Sequence, residues 1–340
     1  MRVLIVGGTQ FVGRHITEAF VRSGHDVTLF HRGTSKEKIF ADLEHRYGDR
    51  NSDLAALAHG EWDATVDASA YFPRQVRSLA ETLAGRGGRY VYVSTVSAYA
   101  TPQEPGINED APLLTLEDPT VEQVTNETYG GLKALCEAAA LRYFGGRDVE
   151  WGLPVVPVSI VRPTVVIGPY DYTYRFTWWV MRAARGGEML VPGPKENPFQ
   201  VIDARDLADF VVRLATGEAS GTYHTVSPTE PCTFEGFLTA VVDEIAPVGT
   251  SLTWIGPDEI SELEIAESAF PLWLGTDPLR LLDTVDPRRA LEAGLTPRPL
   301  RQSIREIYAH ECEHPAQVPA SMGLTLEQEQ ELLLRRSRKG

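Results

Sequence analysis

Through its first 165 residues the chain alternates short, uninterrupted apolar runs with longer amphipathic stretches. RVLIVG (2–7) leads into a helical pattern from about Val12 to Ser23, followed by DVTLFHR (26–32), HRYGD (45–49), DATVDAS (63–69) and RYVYVST (89–95). Helical stretches are expected at 51–59 and 72–85. A Pro- and Glu-rich loop, 101–123, precedes the helix carrying Tyr129, and VVPVSIVRP (155–163) supplies another strand. Strands that are apolar at every position are covered on both faces, and helices between them are the crossovers that parallel pairing needs. The expected fold class is α/β, a doubly wound parallel sheet.

Beyond Pro163 the alternation loosens. YDYTYRFTWWVM (170–181) and VPGPKENPFQ (191–200) read as insertions, VIDARDLADFVVRLA (201–215) as a strand then a helix, and SLTWIG (251–256) as a strand. Helices are expected at 299–313 and 324–337. The larger domain is expected to span 1–165 plus about 200–225. A smaller one takes about 166–199 plus 226–315, and 316–340 is a C-terminal helical tail. Acidic residues number 47 against 32 basic, a formal charge of −15 that repels phosphate backbones, so no nucleic-acid partner is expected. Cys136, Cys232 and Cys312 are scattered with no CxxC pair, which argues for a reducing, cytoplasmic setting. The opening MRVLIVGG enters a strand directly, and neither a signal peptide nor a membrane span is expected.

IVGGTQFVG (5–13) links the first strand to the first helix. Glycine at 7 and 13 permits a tight turn and close approach of backbone to phosphate, and the helix N-terminus offers free N–H groups to a pyrophosphate. Gly7, Thr9, Gln10, Phe11, Val12 and Gly13 are thus candidate dinucleotide contacts, with Gln10 standing where a middle glycine is usual. The second strand ends at His31-Arg32, where an NAD enzyme places a carboxylate for the ribose 2′-hydroxyl. The Arg32 fork suits a 2′-phosphate instead, so NADP is the expected cofactor and NAD the alternative.

NETYGGLKALCEAAA (126–140) puts Tyr129 and Lys133 one turn apart on one helix face. VYVSTVSAYA (91–100) brings hydroxyl residues to the carboxyl edge of the sheet, where open α/β folds bind ligands. With GGTQFVG, YGD (47–49), YGGLK, RPTVVIGP (162–169) and VIDARDLA (201–208) in this order, the chain resembles the extended short-chain dehydrogenase/reductase family, the NAD-dependent epimerase/dehydratase group, over about residues 1–315. The resemblance implies a Rossmann-type sheet with a smaller α/β substrate-binding domain. It makes Thr95 the hydroxyl that holds the substrate oxygen and Tyr129 the acid/base. Lys133 would bind the nicotinamide ribose and lower the tyrosine pKa, and Asp49 would contact the adenine amine. It further implies cofactor contacts at Ala68, Ser69, Ala70, Ser94, Pro163 and Val165, and a substrate pocket drawing on Tyr71, Ser97, Tyr170, Trp178 and Phe199. A phenol titrating near 10 is a poor base at neutral pH, and an ammonium close by favours the phenolate.

Departures narrow the reading. Dehydratases of this family carry an Asp-Glu pair after the catalytic threonine, where Val96-Ser97 stand here. Sugar-nucleotide epimerases often hold a diphosphate with an arginine seven residues before the RDLA aspartate, and Phe199 occupies that position relative to Asp206. HECEH (310–314) matches a zinc-protease pattern, but Pro315 follows at once and no third ligand announces itself, so no metal site is expected. The expected function is an NAD(P)-dependent oxidoreductase acting on a small carbonyl or alcohol substrate, in a chain that could assemble as a homodimer. The alternatives are an epimerase of a sugar-like substrate, and a non-catalytic nucleotide-sensing or RNA-associated protein.

Overall fold

The computed structural model describes residues 1–34, 39–146, 152, 154–227, 232–266, 269–319 and 322–338. The first half runs β1 (Arg2–Val6), α1 (Phe11–Arg22), β2 (Asp26–His31), β3 (Glu44–Tyr47), β4 (Ala64–Asp67), α2 (Pro73–Leu83), β5 (Arg89–Val93), α3 (Asn126–Tyr143) and β6 (Val158–Pro163). Next come β7 (Val165–Ile167), α4 (Arg175–Ala184), β8 (Glu188–Pro192), β9 (Val201–Asp203), α5 (Ala204–Thr216) and β10 (Gly221–Thr225). The remainder is α6 (Phe234–Ile245), β11 (Ser251–Ile255), α7 (Pro257–Glu262), α8 (Arg288–Glu292), α9 (Leu300–Glu313) and α10 (Leu326–Ser337).

Seven strands form one parallel sheet in the order β10-β6-β5-β4-β1-β2-β3. The apolar run of β1 shows why. Val3 and Ile5 pack under α1 and α5 with Ile16, Phe20, Leu207 and Phe210. Leu4 and Val6 face the opposite layer, with Val76 and Leu79 of α2 and Cys136 and Ala140 of α3. Alternating residues therefore serve two cores, as a strand with helices on both faces requires. Chain order reverses between β1 and β4, so neighbouring crossovers leave in opposite directions and a crevice opens at the carboxyl ends of these strands. The fold is the Rossmann-like α/β class that the sequence predicts.

A second core gathers Trp179 of α4, Met189 and Val191 of β8, Phe237 of α6 and Ile304 of α9 around the short parallel pair β8–β11. The terminal α10 is fastened to it. Arg182 Nε donates to Glu329 Oε2 at 2.6 Å, the Leu190 N–H donates to Glu329 Oε1 at 2.9 Å, and Arg182 also reaches the Gly186 and Glu188 carbonyls. Among the described residues no helix is long and apolar enough to cross a membrane.

Two expectations are corrected. The stretch 51–59 is not an α-helix but a loop with one 3-10 turn, Ala55–Leu57. Asp49 and Asp53 accept the backbone N–H groups of Asn51 and Ala55, and such local bonds compete with helix formation. The strand expected at 155–163 starts only at Val158, because Pro157 cannot donate to the ladder and Val155 is exposed. Breaking the α10 anchor gives a direct check. Glu329→Ala leaves the Arg182 cation buried without its carboxylate, and urea denaturation should register a loss of about 3–5 kcal/mol.

Candidate functional site

A cleft of about 460 Å³ lies over the carboxyl ends of β1, β2 and β4. Gly7, Thr9, Gln10, Phe11, Val12 and Gly13 line it, as do His31, Arg32, Asp49, Ala68, Ser69 and Tyr71. Two glycines make the floor possible. Gly7 sits at φ +89°, and a Cβ there would stand 2.6 Å from Ser69 Cβ. A Cβ on Gly13 would lie 2.0 Å from the Gly7 carbonyl oxygen, so α1 can begin this close to β1 only with glycine. No side chain caps the N-terminus of α1 and its first turn carries no acid, which leaves its N–H groups free for an anion. Gln10, extended at φ −129°, is the residue before the helix, so the missing middle glycine costs no strain there.

At the far wall His31 is not available to a ribose. Its Nε2 is 2.8 Å from His45 Nδ1, and its Nδ1 accepts the Gly33 N–H. Burial and the neighbouring His45 lower its pKa. Arg32 is exposed and lines the cleft, and its charge helps hold the Asp49 carboxyl below the usual range, after the bonds from Asn51. Beneath the cleft sits a charged pair that the sequence reading overlooked. Arg50 makes a two-pronged contact with Asp67, at 2.6 and 2.8 Å, and donates to Ser69 Oγ at 2.8 Å. Asp67 is fully buried and also accepts from Tyr90. Burial alone would raise the Asp67 carboxyl, but Arg50, Ser69 and Tyr90 together hold it below its ordinary value. Arg50 Nε is buried with no partner among the described residues.

The cleft leads to the side chains expected to carry the chemistry. Thr95 lies two residues past the end of β5; its hydroxyl accepts the Ser97 N–H at 3.1 Å and stands close enough to the Tyr129 phenol to oppose the rise of its pKa. A Cβ on Gly130 would meet the Ser97 carbonyl at 2.0 Å, so this glycine lets α3 press Tyr129 against Thr95. One turn on, the buried Lys133 donates to the carbonyls of Ala70 (3.1 Å) and Val93 (2.6 Å), with its ammonium 4.3 Å from the Tyr92 ring centroid. Burial lowers its pKa to about 8. Another turn brings Glu137, paired with Arg162 and accepting the Ser94 hydroxyl. The expectation that Lys133 depresses the tyrosine is not met in this state. Burial raises Tyr129 to about 12, and the cation with the largest opposing effect is Arg175. Tyr71 flanks the phenol, with ring centroids 6.2 Å apart.

Other candidates fall elsewhere. Ala70 is fully buried and contributes through its carbonyl, Ser94 is taken by Glu137, and neither lines the cleft. Pro163 and Val165 also lie outside its lining. Trp178 and Phe199 are core residues, Trp178 edge-on to Trp179 and Phe199 stacked 4.1 Å from Phe237, so neither faces a substrate. Tyr170 is exposed, but it lies in a separate cleft with Arg14 3.5 Å over its ring and His310 at 4.4 Å. In the HECEH stretch, Glu311 accepts from the Tyr174 hydroxyl and the Ala316 N–H.

The profile of the NAD dependent epimerase/dehydratase family matches residues 3–226. The chain belongs to that family. It is 27% identical over 257 residues to the chloroplast stem-loop binding protein of 41 kDa b of Arabidopsis thaliana, a match covering 70% of this chain and 62% of that protein. The fold is shared with the Bordetella bronchiseptica enzyme WbmG, solved with NAD and UDP (TM-score 0.66, 16% identity, 94% of this chain and 99% of that one). It is also shared with UDP-N-acetylglucosamine 4-epimerase from Bacillus cereus (TM-score 0.65, 16% identity, 95% and 99%).

The Arg50–Asp67 pair has a signed pH dependence. Asp67 titrates lower in the folded than in the unfolded chain, so its contribution is complete above about pH 4 and fades as pH falls through the folded value. Arg50→Leu should cost about 3–5 kcal/mol at pH 7. The stranded carboxyl then titrates high, so the deficit relative to wild type should shrink on going from pH 7 to pH 5 in denaturation experiments.

Proposed function

We propose that this chain is an NAD(P)-dependent epimerase of a free, sugar-like alcohol, removing a hydride from one carbon and returning it to the opposite face. The observation that carries the reading is the Tyr129 phenol close to the Thr95 hydroxyl, one turn from the buried Lys133 and next to Tyr71 in the lining of the glycine-loop cleft. A bound nicotinamide supplies the hydride acceptor and donor. Tyr129 handles the proton on the same oxygen, taking it as the carbonyl forms and giving it back as the alcohol is restored. Raised to about 12, the phenol holds its proton at neutral pH, and a cation arriving with the oxidised cofactor lowers it toward service as a base. Thr95 orients the shared oxygen, and Lys133 offers the nicotinamide ribose its ammonium.

WbmG and the Bacillus cereus enzyme carry UDP or UDP-sugar in their names, and this supports a sugar-like substrate. Phe199 argues against the nucleotide half. It is 2% exposed and stacked in a core, so the position of the family's diphosphate-clamping arginine offers no charge. A stem-loop role like that named for the Arabidopsis relative is opposed by the −15 charge. Three free cysteines favour a reducing, cytoplasmic setting.

The test uses monosaccharides deuterated at the reacting carbon, free and UDP-linked in parallel. Epimerisation of a free sugar with deuterium retained and no net change in cofactor absorbance supports the reading. Stoichiometric reduced cofactor points to net oxidation instead, and turnover of only UDP-linked sugars removes the free-sugar assignment. Tyr129→Phe should lower kcat by about 10²–10⁴-fold while leaving cofactor affinity near wild type, since the phenol acts only as the reaction proceeds.

NADP is the proposed cofactor, supported by the exposed Arg32 and the absence of a carboxylate at the end of β2. WbmG was solved with NAD, which makes calorimetry with both cofactors decisive. Arg32→Ala should weaken NADP on the order of tenfold and leave NAD unchanged, after allowance for solvent screening of an exposed pair. Equal weakening of both would show that Arg32 does not read the 2′ position.

A further inference from the structure

A second groove, of about 560 Å³, runs between the start of α1, the loop Gly168–Tyr172 and the end of α9. That is the size of a small-molecule site. Tyr170 stands in it in the left-handed backbone region, at φ +67°, a strained conformation for a tyrosine. Two other side chains pack on its ring. The Arg14 guanidinium lies 3.5 Å over the centroid, and His310 meets the ring edge-on with centroids 4.4 Å apart. The buried His15 ties the loop to α1, its Nε2 donating to the Pro169 carbonyl at 2.9 Å.

The groove holds unused polar groups of both signs. Arg14 commits only Nε within the protein, to Glu18 at 2.9 Å, and neither terminal nitrogen has a partner among the described residues. A planar two-pronged donor is left at the groove, the shape that takes a carboxylate with two parallel bonds. Arg22 and Arg205, in the smaller cleft on the other side of Tyr170 and His310, are by contrast paired with Asp209 and Asp203. Glu311 is 7% exposed, yet both bonds it accepts, from the Tyr174 hydroxyl and the Ala316 N–H, fall on Oε1. Oε2 takes none among the described residues, and the groove that Glu311 lines is the space open to a partner for it. A carboxylate this buried is costly without its donors. Asp171, the other acid of the lining, is occupied by the Thr173 N–H and hydroxyl. His310 stacks on His314 at 4.9 Å; burial, then His314, lowers its pKa, so near pH 7 it adds a neutral ring rather than a second cation.

We propose that this groove is a binding site for a small zwitterion with the head group of an α-amino acid, its carboxylate on the Arg14 fork and its ammonium on Glu311 Oε2. A plain anion would set a second negative charge against Glu311, and a plain cation would do the same to Arg14 with the opposite sign. Tyr170, Tyr172 and Ile307 offer apolar surface to the rest of the molecule. The site is independent of the hydride-transfer reading, although it adjoins the dinucleotide cleft: Tyr172 lines both, and Phe11, the first residue of α1, meets Tyr172 edge-on at 6.3 Å.

The experiment is calorimetric titration of the full chain with each of the common L-amino acids at millimolar concentration, followed by the amide and N-acetyl derivatives of any that bind. At least one amino acid should bind wild type, and each derivative should bind about tenfold or more weakly, having lost one charged contact. Arg14→Lys keeps the charge but not the fork, and should weaken the amino acid about tenfold while leaving its amide unchanged. Glu311→Gln retains an oxygen for Tyr174 and Ala316, and should weaken the amino acid similarly while leaving the N-acetyl derivative unchanged. The derivatives on wild type alone decide the matter should either variant fold poorly. Binding of no amino acid, derivatives that bind wild type as tightly as the parent, or affinity untouched by both variants would overturn the proposal. So would acetate or inorganic phosphate binding as tightly as the amino acid, which would mark a plain anion site.

Discussion

The site depends on an ammonium buried where water does not reach. Lys133 is 4% exposed and gives its hydrogens to the carbonyls of Ala70, just past β4, and Val93, which ends β5. Those carbonyls point out of the sheet edge because parallel strands stop there, so the lysine seals two strand ends with one side chain. The same bonds pin α3 to the crevice. Tyr129, Lys133 and Glu137 follow at four-residue intervals on one helix face, and each reaches a different part of the edge: the Thr95 hydroxyl, the two carbonyls, and the Arg162 guanidinium. Gly130 removes the one methyl group that would hold the helix away.

A chain of buried polar groups continues behind this face. Arg162 bonds Tyr99, Tyr99 meets His224 Nε2 at 2.5 Å, and Glu109 accepts the His224 N–H. Arg289 closes on Glu109 from outside. A network satisfied at each link is stiff in a low-dielectric interior, and it fixes β5, β6 and β10 in register behind the site. The Thr95, Tyr129 and Lys133 side chains therefore sit on rigid elements.

The parallel sheet, the glycine loop and the Tyr129–Lys133 face were legible because each is local. Apolar runs, glycine spacing and a four-residue interval need no knowledge of distant contacts. What escaped was non-local. Arg50 and Asp67 are seventeen residues apart and meet only once β4 enters the sheet. The loop at 51–59 is not α-helical because aspartate can serve a helix or undo it, and here the carboxylates of Asp49 and Asp53 found nearer donors in the Asn51 and Ala55 N–H groups. The aromatic segment 170–181 split in two, with Trp178 and Trp179 in the core and Tyr170 and Tyr172 outside, which composition alone cannot decide. The Gly-Gly pair after Tyr129 did carry a signal, since glycine inside a helix is unfavourable without a packing reason.

The most direct test is the pH dependence of dinucleotide affinity, because Lys133, the ammonium proposed to bind the cofactor ribose, titrates at about 8. Calorimetric titration of NADP and of NAD from pH 7 to 9.5 should show affinity falling as pH passes 8, where Lys133 loses its charge. Lys133→Met should bind more weakly than wild type and show no such fall. A wild-type affinity that stays flat through this window, or a Lys133→Met variant that binds as tightly as wild type, would contradict the role assigned to the buried lysine.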